Sequence, residues 1–397
     1  MKTYTYCLFV YTAFILIACN HRPTENDLII FDYYKSYPEV NIKLSDVAEI
    51  KYIPMKGEEL GYMLPGGVMW NNLYIDEAAG KIYFLQKRKI YVYDMQGNPL
   101  QVLDKEGRGP EEYLIITTFW IEKENNAVYC YSGSGETLVV YDTLFNFKKK
   151  IPFVVPFVDN IVRIKGDTLA IYNHLPSYDP GNKEKYRGAL EKYPGIPPFF
   201  FTLAYSTTQV VKTIPYHLER PVRALSEGPE FLFYPSIIRG LNGVFLTNKC
   251  CDTVLWMDNK TMEVQPRFID ITDYRTPECM TIPSFETEKY IFFDTNFSPR
   301  LTPNLKKKYF LYDKKSRQIF QIKVRIHEPR ENILALVNNQ CALTSGISTQ
   351  NYNYAAVFIQ PLFLLENLDN LPDDLRAIAE TLNENDNPVL MLIKLKK

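Results

Sequence analysis

The stretch KIYVYDMQGNPLQVL, residues 89–103, decides the fold. Its two arms alternate apolar residues with other residues, and a short polar segment containing Gly97 and Asn98 separates them. Alternation with a period of two is typical of half-buried β-strands, and the polar break predicts a β-hairpin. Asp94 has a local role in this pattern, because an aspartate carboxylate can accept backbone N–H groups two residues further on and so fix the turn.

The same pattern recurs along the chain. Four further copies are LVVYDTLFNFKKKIPF (138–153), FTLAYSTTQVVKTIPY (201–216), VLWMDNKTMEVQPRF (254–268) and YFLYDKKSRQIFQIKV (309–324), with Ser206 in place of the aspartate in the second of these. The turn positions are 48, 64, 52 and 55 residues apart. A period of about 50 residues with about four short strands in each repeat indicates the blades of a β-propeller. A β-sandwich would show shorter, unrepeated spacing.

A last strand, NPVLMLIKLKK (387–397), suggests a sixth blade. We therefore predict an all-β protein, a single six-bladed β-propeller over residues 39–397. Because an open ring would leave sheet edges exposed, we expect this strand to pair with a blade built partly from the N-terminal region. Leu375, Ile378 and Leu382 recur near helical spacing in the segment before it, and Pro372 suits a first turn. A short decorating helix is expected at about 372–384, covering an end of the propeller.

The N-terminus predicts export and lipid attachment. An apolar run over residues 7–18 is too short to span a bilayer and ends in Leu16-Ile17-Ala18-Cys19, which resembles a bacterial lipobox. Residues 1–18 are therefore predicted to be a lipoprotein signal peptide, with Cys19 as the lipidated residue and residues 19–38 as tether and lead-in. The alternative is an ordinary signal peptide with an incidental cysteine. Lipidation would place the protein in the cell envelope, at the periplasmic face or the outside of the outer membrane.

Composition excludes several function classes. The net charge of −1 provides no general basic field for nucleic acid, so no nucleic-acid partner is predicted. The four histidines show no metal-binding spacing, and neither a nucleophile elbow nor a phosphate loop occurs. No metal, cofactor or catalytic residue is predicted. Beyond Cys19, five cysteines remain in the mature chain, namely Cys130, Cys250, Cys251, Cys279 and Cys341, and we expect buried free thiols among them.

Several motifs resemble those of a family of six-bladed β-propeller lipoproteins of Bacteroidetes, largely of unknown function. They are the lipobox, the opening VNIKLSDVAEIKYIPM (40–55), the segment GRGPEEY (107–113) after the first hairpin, and the helix and closing strand over residues 365–396. The resemblance covers nearly the whole mature chain and implies the propeller fold. One departure is Glu111, which stands where the family pattern has glycine and where a positive φ would be disfavoured.

GRGPEEY is the most specific local motif, and it presents Arg108, Glu112 and Tyr113 on a tight turn. A partial echo at EGPEFLFY (227–234) favours a structural role in packing between blades over a ligand contact. The first functional hypothesis is a binding or scaffold module for a glycan, a peptide or a partner membrane protein. The alternative is a carbohydrate-active enzyme, a polysaccharide lyase or hydrolase that uses the mouth of the channel. A cluster of convergent polar side chains at one mouth would distinguish them.

Overall fold

The computed structural model describes residues 28–57, 72–133, 136–153, 155, 158–173, 199–214, 236–247, 252–272, 280–296, 307–324, 329–341 and 347–396. Six small sheets of four or five strands form a six-bladed β-propeller, as the repeat predicts. In chain order the first three blades are four-stranded. Blade 1 contains β4 (Leu73–Asp76), β5 (Lys81–Gln86), β6 (Lys89–Asp94) and β7 (Pro99–Leu103). Blade 2 contains β8 (Ile116–Glu122), β9 (Ala127–Ser132), β10 (Thr137–Tyr141) and β11 (Phe147–Pro152). Blade 3 contains β12 (Val158–Lys165), β13 (Thr168–Asn173), β14 (Phe199–Ala204) and β15 (Gln209–Thr213).

The other three blades contain strands from the N-terminal region. Blade 4 joins β16 (Ile237–Arg239), β17 (Gly243–Leu246), β18 (Thr253–Asp258) and β19 (Val264–Asp270) to β1 (Ile29–Phe31). Blade 5 joins β20 (Met280–Glu286), β21 (Tyr290–Asn296), β22 (Tyr309–Asp313) and β23 (Gln318–Ile322) to β2 (Glu39–Val40). Blade 6 joins β24 (Ile347–Ser348), β25 (Tyr354–Ile359) and β26 (Val389–Leu395) to β3 (Ala48–Pro54).

The ring closes where β26 pairs with β3 in an antiparallel register that runs from Val389 opposite Pro54 to Leu395 opposite Ala48. This is the pairing expected for the last strand. The described part of the predicted lead-in, residues 28–38, includes β1, which adds in parallel to β19, and β2 follows it and adds in parallel to β23. We call residues 28–54 the N-terminal strap, since they edge blades 4, 5 and 6 in succession.

All five predicted hairpins are present, and the aspartates fix their turns as expected. The Asp94 carboxylate accepts the backbone N–H groups of Gln96 at 2.9 Å and Asn98 at 2.8 Å. Asp142 accepts those of Leu144 and Asn146 at the same two distances. Asp258 and Asp313 bind the amides two and three residues further on.

Helices occupy connections between strands. They are α1 (Leu44–Val47), α2 (Pro329–Val337), α3 (Pro361–Glu366) and α4 (Asp373–Ala379). The helix predicted at about 372–384 is α4, which begins as expected but ends at Ala379, and the chain continues in hydrogen-bonded turns to Asp386. Leu375 and Ala379 of α4 are buried in the hydrophobic core shared by blades 5 and 6, which supports a packing role. No helix in the described part of the chain has the length and hydropathy needed to cross a bilayer.

The first strand of each blade lies innermost, because first strands of different blades contact one another. Asn72, directly before β4, donates to the carbonyl oxygen of Thr117 in β8, and Arg239 of β16 donates to that of Arg163 in β12. The first and second strands join at one end of the ring, and the third and fourth strands join at that same end. We call this end the turn face. Because β1 runs parallel to β19, which starts at the turn face, the chain enters the described structure from this face.

Two cysteines lie in the described core. Cys130 is a buried free thiol, as expected, and Cys341 is also buried. Burial raises the pKa of the Cys130 thiol far above its ordinary value, which keeps it protonated and unreactive. Cys19, Cys250, Cys251 and Cys279 lie outside the described residues, as does the partial echo at residues 227–234.

Candidate functional site

The GRGPEEY loop connects blades 1 and 2 and is held by Tyr113. This side chain is 1% exposed and packs in the core between the two blades. Its hydroxyl donates to the carbonyl oxygen of Leu103 at 3.2 Å and accepts from the amide of Lys105 at 3.1 Å. The backbone of Tyr113 also bonds to Lys105 and Gly107. Tyr113 therefore closes the loop on itself.

Glu112 lies inside the same loop, where its carboxylate accepts the amide of Gly109 at 2.6 Å. A Cβ at Gly107 would come within 2.0 Å of this carboxylate, so glycine at this position leaves room for the carboxylate, and a larger residue would displace the end of the Glu112 side chain. Glu111 does not have a positive φ, which explains why the family's glycine is dispensable at this position. Arg108 is exposed, and its side chain forms no hydrogen bond or ion pair with any described residue. The loop thus brings Glu112 and Tyr113 together and leaves Arg108 outside.

Charged side chains join neighbouring blades near the turn face. The Lys123 ammonium of blade 2 pairs with the Asp76 carboxylate of blade 1 at 2.5 Å. Glu122, almost fully buried at the end of β8, pairs with Arg163 of blade 3 at 3.0 Å. The Tyr205 hydroxyl also donates to Glu122. Buried carboxylates require such partners, and these contacts hold consecutive blades in register.

Arg239 lies on the first strand of blade 4, as Arg163 lies on the first strand of blade 3, but its side chain has different partners. Its Nη2 donates to the carbonyl oxygen of Arg163 at 2.8 Å, while its buried Nε has no partner. No carboxylate of the described residues pairs with it. Burial and then the positive charge of Arg163 lower the pKa of Arg239 to about 10, and Tyr74 of blade 1 acts in the opposite direction. Arg239 lies on β16, the innermost strand of blade 4, and therefore borders the central channel.

The blades at the ring closure are joined differently. Glu286 of blade 5 pairs with Lys314 at 2.7 Å and accepts the amide of Leu241 in blade 4 at 3.0 Å. Lys394 of blade 6 pairs with Glu77 of blade 1 at 2.8 Å. This hydrogen bond raises the pKa of Lys394 and, by the same interaction, lowers the pKa of Glu77. Both pairs help to shape an open pocket.

We call this opening the closure pocket. It lies at the turn face where blades 4, 5 and 6 meet and has a volume of about 480 Å³. A smaller cavity of about 250 Å³ shares Thr287 and Lys396 with it and extends toward α1. The closure pocket is lined by Glu49, Leu241, Asn242, Glu286, Thr287, Glu288, Tyr352, Asn353, Lys394, Leu395 and Lys396.

Tyr352 and four polar side chains make the closure pocket chemically distinctive. Tyr352 is 44% exposed, which is unusual for a large aromatic side chain in this molecule. The side chains of Asn242, Asn353, Glu49 and Glu288 form no hydrogen bond or ion pair with any described residue. Their unused donors and acceptors, together with one face of an aromatic ring, are available to a ligand.

Neither Tyr352 nor its polar neighbours are among the residues that the sequence singles out. One of them lies near the start of β3 and the others lie in three turns between strands, and none of them belongs to a recurring motif. The described residues contain no group of three or more His, Cys, Asp or Glu side chains able to hold a metal ion. All four histidines lie outside the described residues.

Comparison with known proteins identifies the family. The family described as "Domain of unknown function (DUF4934)" matches residues 30–394. The chain belongs to this family. The match spans all six blades of this DUF4934 propeller, and it confirms the resemblance to a Bacteroidetes propeller family of unknown function. No curated protein matches the chain.

Two solved structures share the fold of this DUF4934 member. One is a protein from Bacteroides fragilis NCTC 9343, proposed in its description to be exported, with 13% identity and a TM-score of 0.63 over 93% of this chain and 100% of the other. The second is a duf4221 family member from Bacteroides vulgatus ATCC 8482, with 11% identity and a TM-score of 0.50 over 88% and 98% of the two chains. Identities this low establish the shared propeller architecture alone.

Proposed function

We propose that the protein is an extracytoplasmic binding module that takes a glycan segment in the closure pocket. The observation that carries this proposal is the exposed ring of Tyr352 beside the free side chains of Asn242, Asn353, Glu49 and Glu288. A sugar offers an apolar C–H face and many hydroxyl groups. An aromatic ring covers the first, and amides and carboxylates bind the second by donating and accepting hydrogen bonds.

The shape of the pocket is consistent with a ligand of more than one sugar unit. A volume of about 480 Å³ falls in the usual range for small-molecule sites. The adjoining cavity of about 250 Å³ would extend the site along the edge of blade 5. An extended peptide is the competing ligand, but the free groups here are side chains, whereas peptide recognition commonly uses an open strand edge.

Anchoring through Cys19 is part of the same proposal. Only eight residues lie between Cys19 and Leu28, where the chain enters from the turn face. Fully extended, they would span at most about 30 Å. Lipidation would therefore anchor the protein in the outer membrane of the cell envelope and hold the closure pocket close to the membrane surface. The proposed export of the Bacteroides fragilis structural relative is in keeping with this location.

Binding is tested with the purified protein on an array of neutral and acidic oligosaccharides, followed by calorimetry with the strongest oligosaccharide. Tyr352→Ala is expected to reduce that affinity at least about tenfold, which is about 1.4 kcal/mol. Leu144→Ala is the matched control, because Leu144 is 65% exposed in a turn of blade 2. Absence of any array signal, or equal affinity of Tyr352→Ala and the parent, contradicts the proposal. Capture of peptides alone would identify the other ligand class.

The anchor is tested separately by expressing Cys19→Ala in a bacterium that processes lipoproteins. The variant is expected to leave the membrane fraction or to accumulate as an uncut precursor, because the acyl chains supply the membrane affinity. The parent and a Cys130→Ala variant, which changes a buried core thiol, should both partition with membranes. Normal processing and membrane partitioning of Cys19→Ala would contradict lipid anchoring and leave the glycan proposal untouched.

A further inference from the structure

We propose that the central channel contains an oxyanion-binding site at Arg239, separate from the closure pocket, which takes a sulfate, phosphate or carboxylate group. The first support is the incomplete bonding of the guanidinium. It has five N–H donors, and in the described structure only Nη2 is used, toward the carbonyl oxygen of Arg163. Its Nε is shielded from solvent and has no partner.

The second support is the missing counter-charge. The other channel cations described above have carboxylate partners, since Arg163 pairs with Glu122 and Lys123 pairs with Asp76. Arg239 has none among the described residues. Among the described residues, the guanidinium of Arg163 and the phenol of Tyr74 act on it electrostatically, and neither supplies a negative charge at neutral pH. A half-buried cation without a counter-charge is costly, and a bound anion would remove that cost.

The third support is the shape of the guanidinium. A guanidinium binds a planar or tetrahedral oxyanion through two parallel hydrogen bonds, which a single Lys ammonium cannot do. The site would thus select an oxyanion over chloride. In a larger ligand this group would be one acidic substituent that reaches into the channel.

Inorganic sulfate, inorganic phosphate and acetate are the probes. The melting temperature is measured from zero to about 20 mM anion, and sodium chloride keeps the ionic strength constant. The anion concentration stays low because the general stabilising effect of sulfate is then small. The parent is expected to show a saturating rise for at least one oxyanion, as binding to the folded state alone requires. Arg239→Gln is expected to abolish this rise.

Arg108→Gln is the matched control, because it also removes an arginine that has no carboxylate partner among the described residues but leaves the channel unchanged. It should respond as the parent does. Arg239→Lys keeps the charge and should weaken the anion affinity about tenfold, since the paired hydrogen bonds are lost. If Arg239→Gln does not fold, the test uses Arg239→Lys instead, and calorimetry measures the anion affinity of the parent directly. A parent without a saturating response, or an equal response in either Arg239 variant, overturns the proposal.

Discussion

The hydroxyl of Tyr113 donates a hydrogen bond of 3.2 Å to the carbonyl oxygen of Leu103, the last residue of the first repeated hairpin. This contact fastens the loop between blades 1 and 2 to the outermost strand of blade 1. Within this loop the tyrosine is buried, the glycines leave room for Glu112, and the arginine is exposed, an arrangement consistent with a packing role.

Tyr113→Ala is expected to lower the free energy of unfolding by about 3 kcal/mol or more, because it leaves a cavity in the core between two blades. Tyr113→Phe keeps the ring but removes both hydrogen bonds of the hydroxyl, and it should cost about 2 kcal/mol, since one hydrogen bond usually contributes about 1 kcal/mol. Arg108→Ala should change stability by no more than about 0.5 kcal/mol. Urea unfolding of the three variants measures these differences. A Tyr113→Ala protein as stable as the parent would rule out the packing role.

Ring closure by β26 can be tested by truncation. Deleting residues 387–397 removes the strand that joins β25 to β3, so two sheet edges become exposed. We expect the truncated protein to aggregate, as followed by size-exclusion chromatography and light scattering. Deleting Lys397 alone is the control, because it lies beyond the end of β26. A monomeric truncated protein with an unchanged melting temperature would show that the ring closes without this strand.

The loss of folding stability at low pH should be caused partly by protonation of the aspartates in the hairpin turns. Burial alone would raise the pKa of Asp94, but hydrogen bonds from Asn98 and Gln96 outweigh it and lower the pKa. The same opposition, with a net lowering, holds for Asp142 and Asp258. A carboxyl whose pKa is lower in the folded state contributes stability above its unfolded pKa of about 3.9, and this contribution is lost as the pH falls through the folded pKa.

Replacing the three turn aspartates by asparagine should therefore flatten the dependence of stability on acid. The triple variant is expected to lose fewer degrees of melting temperature than the parent between about pH 5 and about pH 3, the range in which carboxylates protonate. Glu124→Gln, in an exposed turn of blade 2, should retain the slope of the parent. Equal slopes in the parent and the triple variant would mean that these turns contribute nothing to acid unfolding.

The ion pair between Glu122 and Arg163 should be sensitive to loss of one partner. Glu122→Ala is expected to destabilise the protein by about 3 kcal/mol or more, because it leaves the mostly buried guanidinium of Arg163 without its carboxylate partner. Asp104→Ala breaks the exposed pair with Lys89 and should cost no more than about 1 kcal/mol. Chemical denaturation distinguishes the two. If Glu122→Ala and Asp104→Ala cost the same, the buried pair has no special role in joining blades 2 and 3.

The fold was predictable from the sequence because each blade repeats a local signal. Strand alternation and the turn aspartate act within fifteen residues, so Asp94, Asp142, Asp258 and Asp313 mark four hairpins correctly. The strands β1 and β2 have only three and two residues and therefore lack any periodicity. Their positions depend on distant partners, as does the end of α4, which tertiary packing shortens.

The candidate sites could not be predicted in the same way. The closure pocket brings together Glu49, Asn242 and Tyr352, which are far apart in sequence and belong to no common motif. Arg239 is distinctive because no carboxylate of the described residues pairs with it, and this becomes visible only when the inner strands are arranged around the channel. The sequence instead indicated Arg108, Glu112 and Tyr113, whose conspicuous pattern serves a loop.

The N-terminal strap has a consequence for how the chain matures. Tyr33 bonds to a residue 239 positions later, and Ser45 contacts residues 294 and 351 positions later. A polypeptide that crosses a membrane from its N-terminus onward would deliver the strap first and its partner strands last. If the chain is exported as proposed, the strap would stay unpaired until its partner strands, which lie between residues 264 and 395, have been translocated. Contacts at such separations slow folding, so completion of the ring would be a late step in folding.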